Sequence, residues 1–297
     1  MDISLEPGSY VLAVSGGVDS VSLLHLLAQR PQPAYKFTVA HFDHGIRDDS
    51  NQDRQLVQAA ARHYGLPFIY LDGHLSPITN EAVARKARYD FLHNVRHLTG
   101  AQAIITAHHQ DDLLETALIN IVRGTGRRGL SSLKSTDVVK RPILHVPKAE
   151  IYDYARDNQL VWNEDSTNRD QAHLRNYLRH QVIPRLTPEQ RHELLDLIQK
   201  VHQLNDEIDT HLATHLHVQP ALDRLDRHHF VMLPHVVGME LLAAWLRRHD
   251  IQDFDRKTLQ RLSLAAKTYR PGRLADINAA WQLQVNKTDL ALTRRDR

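Results

Sequence analysis

The sequence has no cysteine in 297 residues. Disulfides, thiolate zinc sites, iron–sulfur clusters and persulfide chemistry are therefore excluded. No apolar run is long enough to span a bilayer. The first residues, Met1 to Pro7, are acidic and lack the apolar stretch of a secretory signal. Charge of one sign is also missing: 37 Lys and Arg face 35 Asp and Glu, for a formal net charge of +2. That balance excludes a dedicated nucleic-acid coat and makes local charge distribution the informative quantity. Aromatic residues are only 6% of the chain, so stacking platforms are few. The 21 histidines are scattered rather than gathered in a metal tract. What is present is 42% hydrophobic residues, enough for a substantial core and long enough for two domains. The expectation from these bounds is a cytoplasmic protein with no membrane partner.

The first half alternates short apolar runs with amphipathic stretches. Strands are predicted at Tyr10–Val14, Lys36–Phe42, Pro67–Leu71 and Ala103–Ala107. Helices are predicted at Asp19–Gln29, Asn51–Tyr64, Asn80–Leu98 (capped by Asn80) and from Gln110 to about Val122. This alternation implies an α/β fold, a doubly wound parallel sheet covered by helices on both faces. Ligands of such sheets sit beyond the carboxyl ends of the strands. The pattern changes after Pro184. A long helix starts at Thr187-Pro188-Glu189, with Leu194, Leu197, Ile198, Val201, Leu204 and Ile208 on one stripe. Two further helices and a hairpin from Leu274 to Leu292 follow. The expected division is a catalytic domain over residues 1–185 and a smaller, mainly helical domain over 186–297.

Ser15-Gly16-Gly17-Val18-Asp19-Ser20 lies between the first strand and the first helix. Two adjacent glycines allow a tight turn and a close backbone approach. Successive N–H groups then converge on one point, backed by the positive end of the helix dipole. Asp19 beside phosphate implies a bridging divalent cation, so magnesium is expected there. The bland alternative is a strand–helix turn without a ligand. The lysine of the Gly-x-x-x-x-Gly-Lys-Ser/Thr loop is absent, which sets this string apart from γ-phosphate motifs. It resembles the pyrophosphate loop of the ATP-pyrophosphatase superfamily, whose members cleave ATP between the α and β phosphates.

Further motifs follow in order: Val39 to Arg47 with Asp43 and His44; Ala84 to Tyr89 with Arg85 and Arg88; Thr106 to Thr116 with Asp112 and Glu115; Arg123 to Leu130; Glu164 to Asn168; and Leu174 to His180. With the loop, their order and spacing resemble the tRNA(Ile)-lysidine synthase family over residues 10 to 185. The resemblance implies that the carbonyl oxygen at C2 of the wobble cytidine, in a CAU anticodon, attacks the α-phosphate of ATP. The lysine ε-amine then displaces AMP. ATP with Mg2+, L-lysine and an isoleucine tRNA are the implied cofactors and partners, and a homodimer is an expectation from the resemblance alone.

Asp112 and Glu115 are three apart on one helix face. They suit an amino-acid ammonium and could assist its deprotonation. A solvated helix start and a metal site with His108 are the alternatives, and the family match favours lysine. Asp43, at a strand end, could orient the cytidine, bind magnesium or act as a base. Arg85 and Arg88 could clamp phosphate or steady a leaving group, or form a solvated basic face. The segment 123–148 carries Arg123, Arg127, Arg128, Lys134, Lys140, Arg141 and Lys148, a charge pattern suited to an RNA backbone. Arg169, Arg175, Arg179 and Arg185 form a second run, in which Asn176 and Arg179 could instead face the ATP phosphates. Residues around Lys267–Arg273 are equally readable as plain surface. Three competing functions remain: a thiolation enzyme and an amidotransferase, both disfavoured by the missing cysteine, and a non-catalytic binding module.

Overall fold

A computed structural model describes residues 1, 3–31, 33–43, 45, 50–74, 81–125, 127–130, 133–163, 174–218 and 224–295. The chain forms two compact units. One comprises Met1–Thr125 with Gly129–Leu197, the other Gly126–Arg128 with Ile198–Arg297.

The first unit follows the predicted alternation: β1 (Gly8–Ala13), α1 (Val18–Ala28), β2 (Tyr35–Asp43), α2 (Ser50–His63), β3 (Phe68–Asp72), α3 (Glu81–Thr99), β4 (Ala103–Ile105) and α4 (Gln110–Val122). The expected Asn80 cap lies outside the described residues. A single turn, α5 (Arg127–Leu130), leads to a fifth strand, β5 (Val139–Lys140), and to α6 (Lys148–Asp157). These last two elements were not predicted. Two residues are too few to show a period of 2, and the apolar residues of α6 are sparse.

The sheet order is β3-β2-β1-β4-β5, and every pairing is parallel. The doubly wound parallel fold is therefore present. The chain steps outward from β1 to β3, then returns to the other side of β1 for β4. The crevice of such a sheet opens where the winding reverses, at the carboxyl ends of β1 and β4. Side-chain parity explains the layers. Tyr10, Leu12 and Val14 share one core cluster with Tyr35, Phe37, Val39 and the α1 residues Leu23, Leu24 and Leu27. Val11, Ala40 and Phe42 point the other way, against Phe91, Leu92 and Val95 of α3. With both faces covered, β1 reads as a continuous apolar run rather than an alternating one.

Beyond α6, α7 (Leu174–Tyr177) runs into a π-helical stretch at Leu178–Val182 and a 3-10 turn at Ile183–Arg185. The long helix α8 (Pro188–Val218) carries the boundary between the units. The second unit adds β6 (Arg224–Asp226), α9 (Arg227–Met232), α10 (His235–Arg248), α11 (Arg256–Thr268), β7 (Arg273–Asp276), β8 (Trp281–Val285) and β9 (Asp289–Arg294). The expected hairpin is part of a four-stranded antiparallel sheet, order β6-β9-β8-β7. β6 escapes a sequence reading because Leu225 is its one apolar residue. Trp245, Phe230, Leu246 and Leu283 centre the core of this unit. No helix among the described residues is long and apolar enough to cross a membrane.

Candidate active site: a phosphate loop beside an arginine-lined cavity

β1 ends at Ala13, and the chain turns through Ser15 and Gly16 before α1 begins at Val18. Gly16 has φ +100°, and a Cβ there would lie 3.3 Å from the Asp53 carboxylate. Both facts call for glycine. Ser20 is buried and turned into the loop. Its Oγ accepts from the Ser15 and Gly16 N–H groups at 3.1 and 3.2 Å and donates to the Gly17 carbonyl at 3.0 Å. The first two loop amides are thus satisfied internally. Gly17 caps α1 without a side-chain hydrogen bond, so the donors left for a ligand are those of the first helical turn. From outside, Asn163 braces the loop: its N–H donates to the Gly16 carbonyl at 3.1 Å and its side chain to Asp53 at 2.7 Å.

Lys148 supplies the cation that the loop motif itself lacks. Its Nζ donates to both Asp19 oxygens, at 2.6 and 2.7 Å. It was expected as one of a basic run, and no local signal pairs it with a residue 129 positions away. Proline and helix geometry place it, since Pro147 caps α6 and Lys148 is its first residue.

On the other side of Asp19 stands His109, the N-cap of α4. Its Nδ1 accepts from the Asp111 N–H at 3.2 Å, and its own N–H donates to Asp112 at 3.0 Å. Its Nε2 lies 3.6 Å from Asp19 and 3.4 Å from Asp112. His109 therefore bridges the phosphate loop and the acidic pair. A His-x-x-Asp string at a helix start is a readable capping signal, but the reach to Asp19 is tertiary.

Asp112 opens into a cavity of about 510 Å3, lined by Ala84, Arg85, Arg88, His108, Asp112, Glu115, Thr116, Ile119, Asn120, Arg123, Leu133, Arg175 and Arg179. Five arginines face two carboxylates, an environment suited to anionic ligands. Arg179 is salt-bridged to both acids: Nε to Glu115 at 2.6 Å, Nη2 to Glu115 at 2.9 Å and to Asp112 at 3.3 Å. It sits on the π-helical stretch, a register enriched at functional sites.

The charges feel their burial. Burial pushes Glu115 above the ordinary carboxylate range, against the pull of Arg179. Burial works the same way on Asp112, but His109, His108 and Arg179 outweigh it and hold this carboxyl low. His108 is lowered to about 3, chiefly by burial and then by Arg141, Arg88 and Arg85, with Asp112 opposing. It is a neutral ring at neutral pH, with its Nδ1 2.8 Å from the Thr106 hydroxyl. Burial also lowers the guanidinium groups of Arg88 and Arg141. Concentrated, desolvated positive charge of this kind favours an incoming anion.

The cavity thus gathers Arg85 and Arg88 from α3, Asp112 and Glu115 from α4, Arg123 from the C-cap of α4, Arg175 from α7 and Arg179 from the π-helical stretch. Asp43 is not among its lining residues; it is buried at the end of β2, where its Oδ1 accepts from the Gly45 N–H at 2.8 Å. Asn176 lies on α7, outside the lining. Arg127 belongs to the second unit, where it bonds Asp209 at 2.7 Å, Glu240 at 2.9 Å and Asn205 at 3.1 Å. The Arg128 side chain, His44, Arg47 and residues 164–173, including Arg169, lie outside the described residues.

A model of the PP-loop domain, an ATP-binding family, matches residues 4–186. The chain is 39% identical to the tRNA(Ile)-lysidine synthase of Thermotoga maritima over 189 residues, which is 61% of this chain and 46% of that protein. It is 42% identical to the Thermus thermophilus protein of the same name over 182 residues, 59% of this chain and 35% of that one. The chain thus spans less than half the length of these relatives. Among solved structures it resembles the U34-tRNA thiolase NcsA of Methanococcus maripaludis, with a TM-score of 0.53, 16% identity, and coverage of 67% of this chain and 74% of that one. That likeness concerns the fold; the neighbour was solved with a [4Fe-4S] cluster, and this chain has no cysteine to hold one.

Proposed function

The chain belongs to the PP-loop domain family, and on that premise we propose that it is a tRNA-modifying ligase that forms lysidine. ATP activates C2 of the wobble cytidine in a CAU-anticodon isoleucine tRNA, and L-lysine is then joined there, with AMP and pyrophosphate as products. The observation that carries this reading is the union of three features. An amide-lined phosphate loop stands at the crevice of the sheet, His109 links it to an acidic pair, and that pair opens into an arginine-rich cavity.

Each part has a task. The amides at the start of α1 hold the leaving pyrophosphate, and Lys148 swings from Asp19 to a phosphate oxygen. Among the described residues no group of three or more His, Asp or Glu side chains is placed to hold a metal ion. The single loop carboxylate nonetheless fits Mg2+, which keeps phosphate and water ligands and needs few from protein. Asp19 would hold it, and it would supply charge neutralisation on the phosphates. Asp112 and Glu115 seat the lysine ammonium, which shares these carboxylates with Arg179 or displaces it from them. The amine must lose a proton before it attacks, and Glu115, raised by burial, is the better proton acceptor of the two. Arg85 and Arg88 steady the charge that develops on phosphate, and Asp43 serves the cytidine side of the site. Arg123, Arg175 and Asn176 meet RNA phosphates. Residues 1–185 act as the catalytic domain and 186–297 as a tRNA-binding domain.

The test is a reaction of the full chain with ATP, L-lysine and a CAU-anticodon transcript. Pyrophosphate release should depend on the RNA, and labelled lysine should become attached to it. Release that needs neither RNA nor lysine removes the reading. Asp112→Asn and Glu115→Gln should each raise the lysine requirement more than the ATP requirement; unchanged lysine dependence in both removes the role given to the pair.

A further inference from the structure

His41 stands where the packing pattern asks for an apolar residue. On β2, Tyr35, Phe37 and Val39 enter the cluster that also takes Tyr10, Leu12 and Val14. His41 is the next residue of that stripe and is 2% exposed. Its Nδ1 lies 2.8 Å from the carbonyl oxygen of Val14. A carbonyl only accepts, so Nδ1 carries a proton. Nε2 is buried and has no hydrogen-bond partner among the described residues. A buried polar atom left unmet is a standing cost that a leucine or valine would not incur. The bond to Val14 is the contact that sets histidine apart from an apolar residue at this position.

The other end of the same peptide unit is also anchored. The Ser15 N–H donates to Ser20 Oγ at 3.1 Å. A planar peptide held at both its carbonyl and its N–H cannot rotate about the chain direction. One peptide further on, Gly16 turns at φ +100°, so the orientation of the Val14–Ser15 unit sets the entry into that turn and, through it, where the amides that follow will point.

We propose that His41 is a positioning residue for the phosphate end of the nucleotide: together with Ser20 it locks the Val14–Ser15 peptide and thereby aims the N–H groups at the start of α1. The inference rests on the reading of residues 15–20 as a nucleotide phosphate loop, and it requires nothing of the acceptor substrate.

Three substitutions separate the two ring nitrogens. Asparagine places an NH2 group near the position of Nδ1, glutamine places one near Nε2, and leucine places neither. Binding of pyrophosphate, ATP and adenosine to the full chain is measured by calorimetric titration. His41→Gln and His41→Leu should weaken pyrophosphate and ATP by about tenfold, the scale of one lost hydrogen bond. Adenosine should be little affected, and His41→Asn should bind all three like the parent. Equal pyrophosphate affinity in the three variants, or a loss shared equally by adenosine, overturns the proposal. Should His41→Gln and His41→Leu fail to fold, Ser20→Ala releases the other end of the same peptide and must lower pyrophosphate affinity in its place. Unchanged affinity in that variant overturns the proposal as well. Failure of the lysidine reading shows separately, as missing RNA-dependent turnover in a protein that still binds pyrophosphate.

Discussion

The phosphate loop takes its shape almost wholly from residues 14 to 20, with His41, Asp53 and Asn163 as outside braces. The cavity takes its lining from residues between Ala84 and Arg179. Their charges are settled differently as well. In the loop, backbone N–H groups and one serine hydroxyl do the organising, and a single carboxylate meets Lys148. In the cavity, buried side chains of both signs hold one another, with Arg179 across Asp112 and Glu115. A site of backbone dipoles costs little to keep in place, because its donors are fixed by the fold. A site of buried side-chain charges is held only while every partner is present.

The largest effect that follows from this contrast is on stability, not on chemistry. Arg179→Met leaves Glu115, whose side chain is 2% exposed, without its bidentate partner. Breaking such a pair should cost about 3 kcal/mol, measurable by denaturant unfolding. Adding Glu115→Gln to Arg179→Met should return much of that loss. If Arg179→Met unfolds like the parent, the cavity is not held by its charges.

The loop should respond in the opposite way. Gly16→Ala puts a side chain at φ +100° and against Asp53, so the loop must shift. A displacement of that kind costs on the order of a hundredfold in turnover, while the sheet beneath it keeps its fold. ATP-dependent pyrophosphate release, compared with the thermal midpoint, checks the separation.

A smaller effect concerns pH. Folded His108 takes up its proton near 3, whereas the unfolded chain takes it up near 6.5. Between these values the unfolded state binds more protons, so this contribution to stability is full above pH 6.5 and falls on acidification. Between 4.5 and 6.5 Glu115, raised above its ordinary value by burial, acts in the opposite direction, so the comparison is made in a Glu115→Gln background. The slope there is at most about 1.4 kcal/mol per pH unit. Unfolding curves from pH 7 to 5 should lose that slope in His108→Gln; an unchanged slope assigns it elsewhere.

The smallest effect sharpens the RNA assignment. Arg123→Ala and Arg175→Ala should each flatten the salt dependence of RNA binding by about 0.7 to 0.9 in log–log slope. Arg127→Ala should leave that slope unchanged, because its guanidinium is bonded to Asp209, Glu240 and Asn205; its effect should be a lower stability of the second unit. An equal change in slope for all three arginines would return Arg127 to the RNA surface.

The comparison also explains what was legible beforehand. Ser15 to Ser20 was readable because a phosphate loop needs small residues at consecutive positions, and that requirement leaves a contiguous trace. β1, β2 and β4 were readable because burial on both faces produces apolar runs. β3, at the sheet edge with Tyr70 and Leu71 exposed, was readable only from its apolar and aromatic composition, and the helix from Gln110 to Val122 from its apolar spacing. β5 was not readable, since two residues carry no period, and β6 was not, since one apolar residue carries no pattern. Asp112 and Glu115 were visible as a helix-spaced pair, but their partner Arg179 lies 64 residues beyond Glu115. Lys148 and Arg127 belonged to one basic segment with no local mark to separate them. The first closes on Asp19, the second on Asp209 and Glu240.

The sequence by itself determined the order of elements from β1 to α4, the parallel sheet and the place of the phosphate loop, all of which follow from local spacing and from the period of burial. Only the tertiary structure decided which charges meet. A Lys or Arg looks the same along the chain whether it will face solvent, an aspartate or a cavity. The distances that distinguish those outcomes exist only once the strands and helices have been packed together.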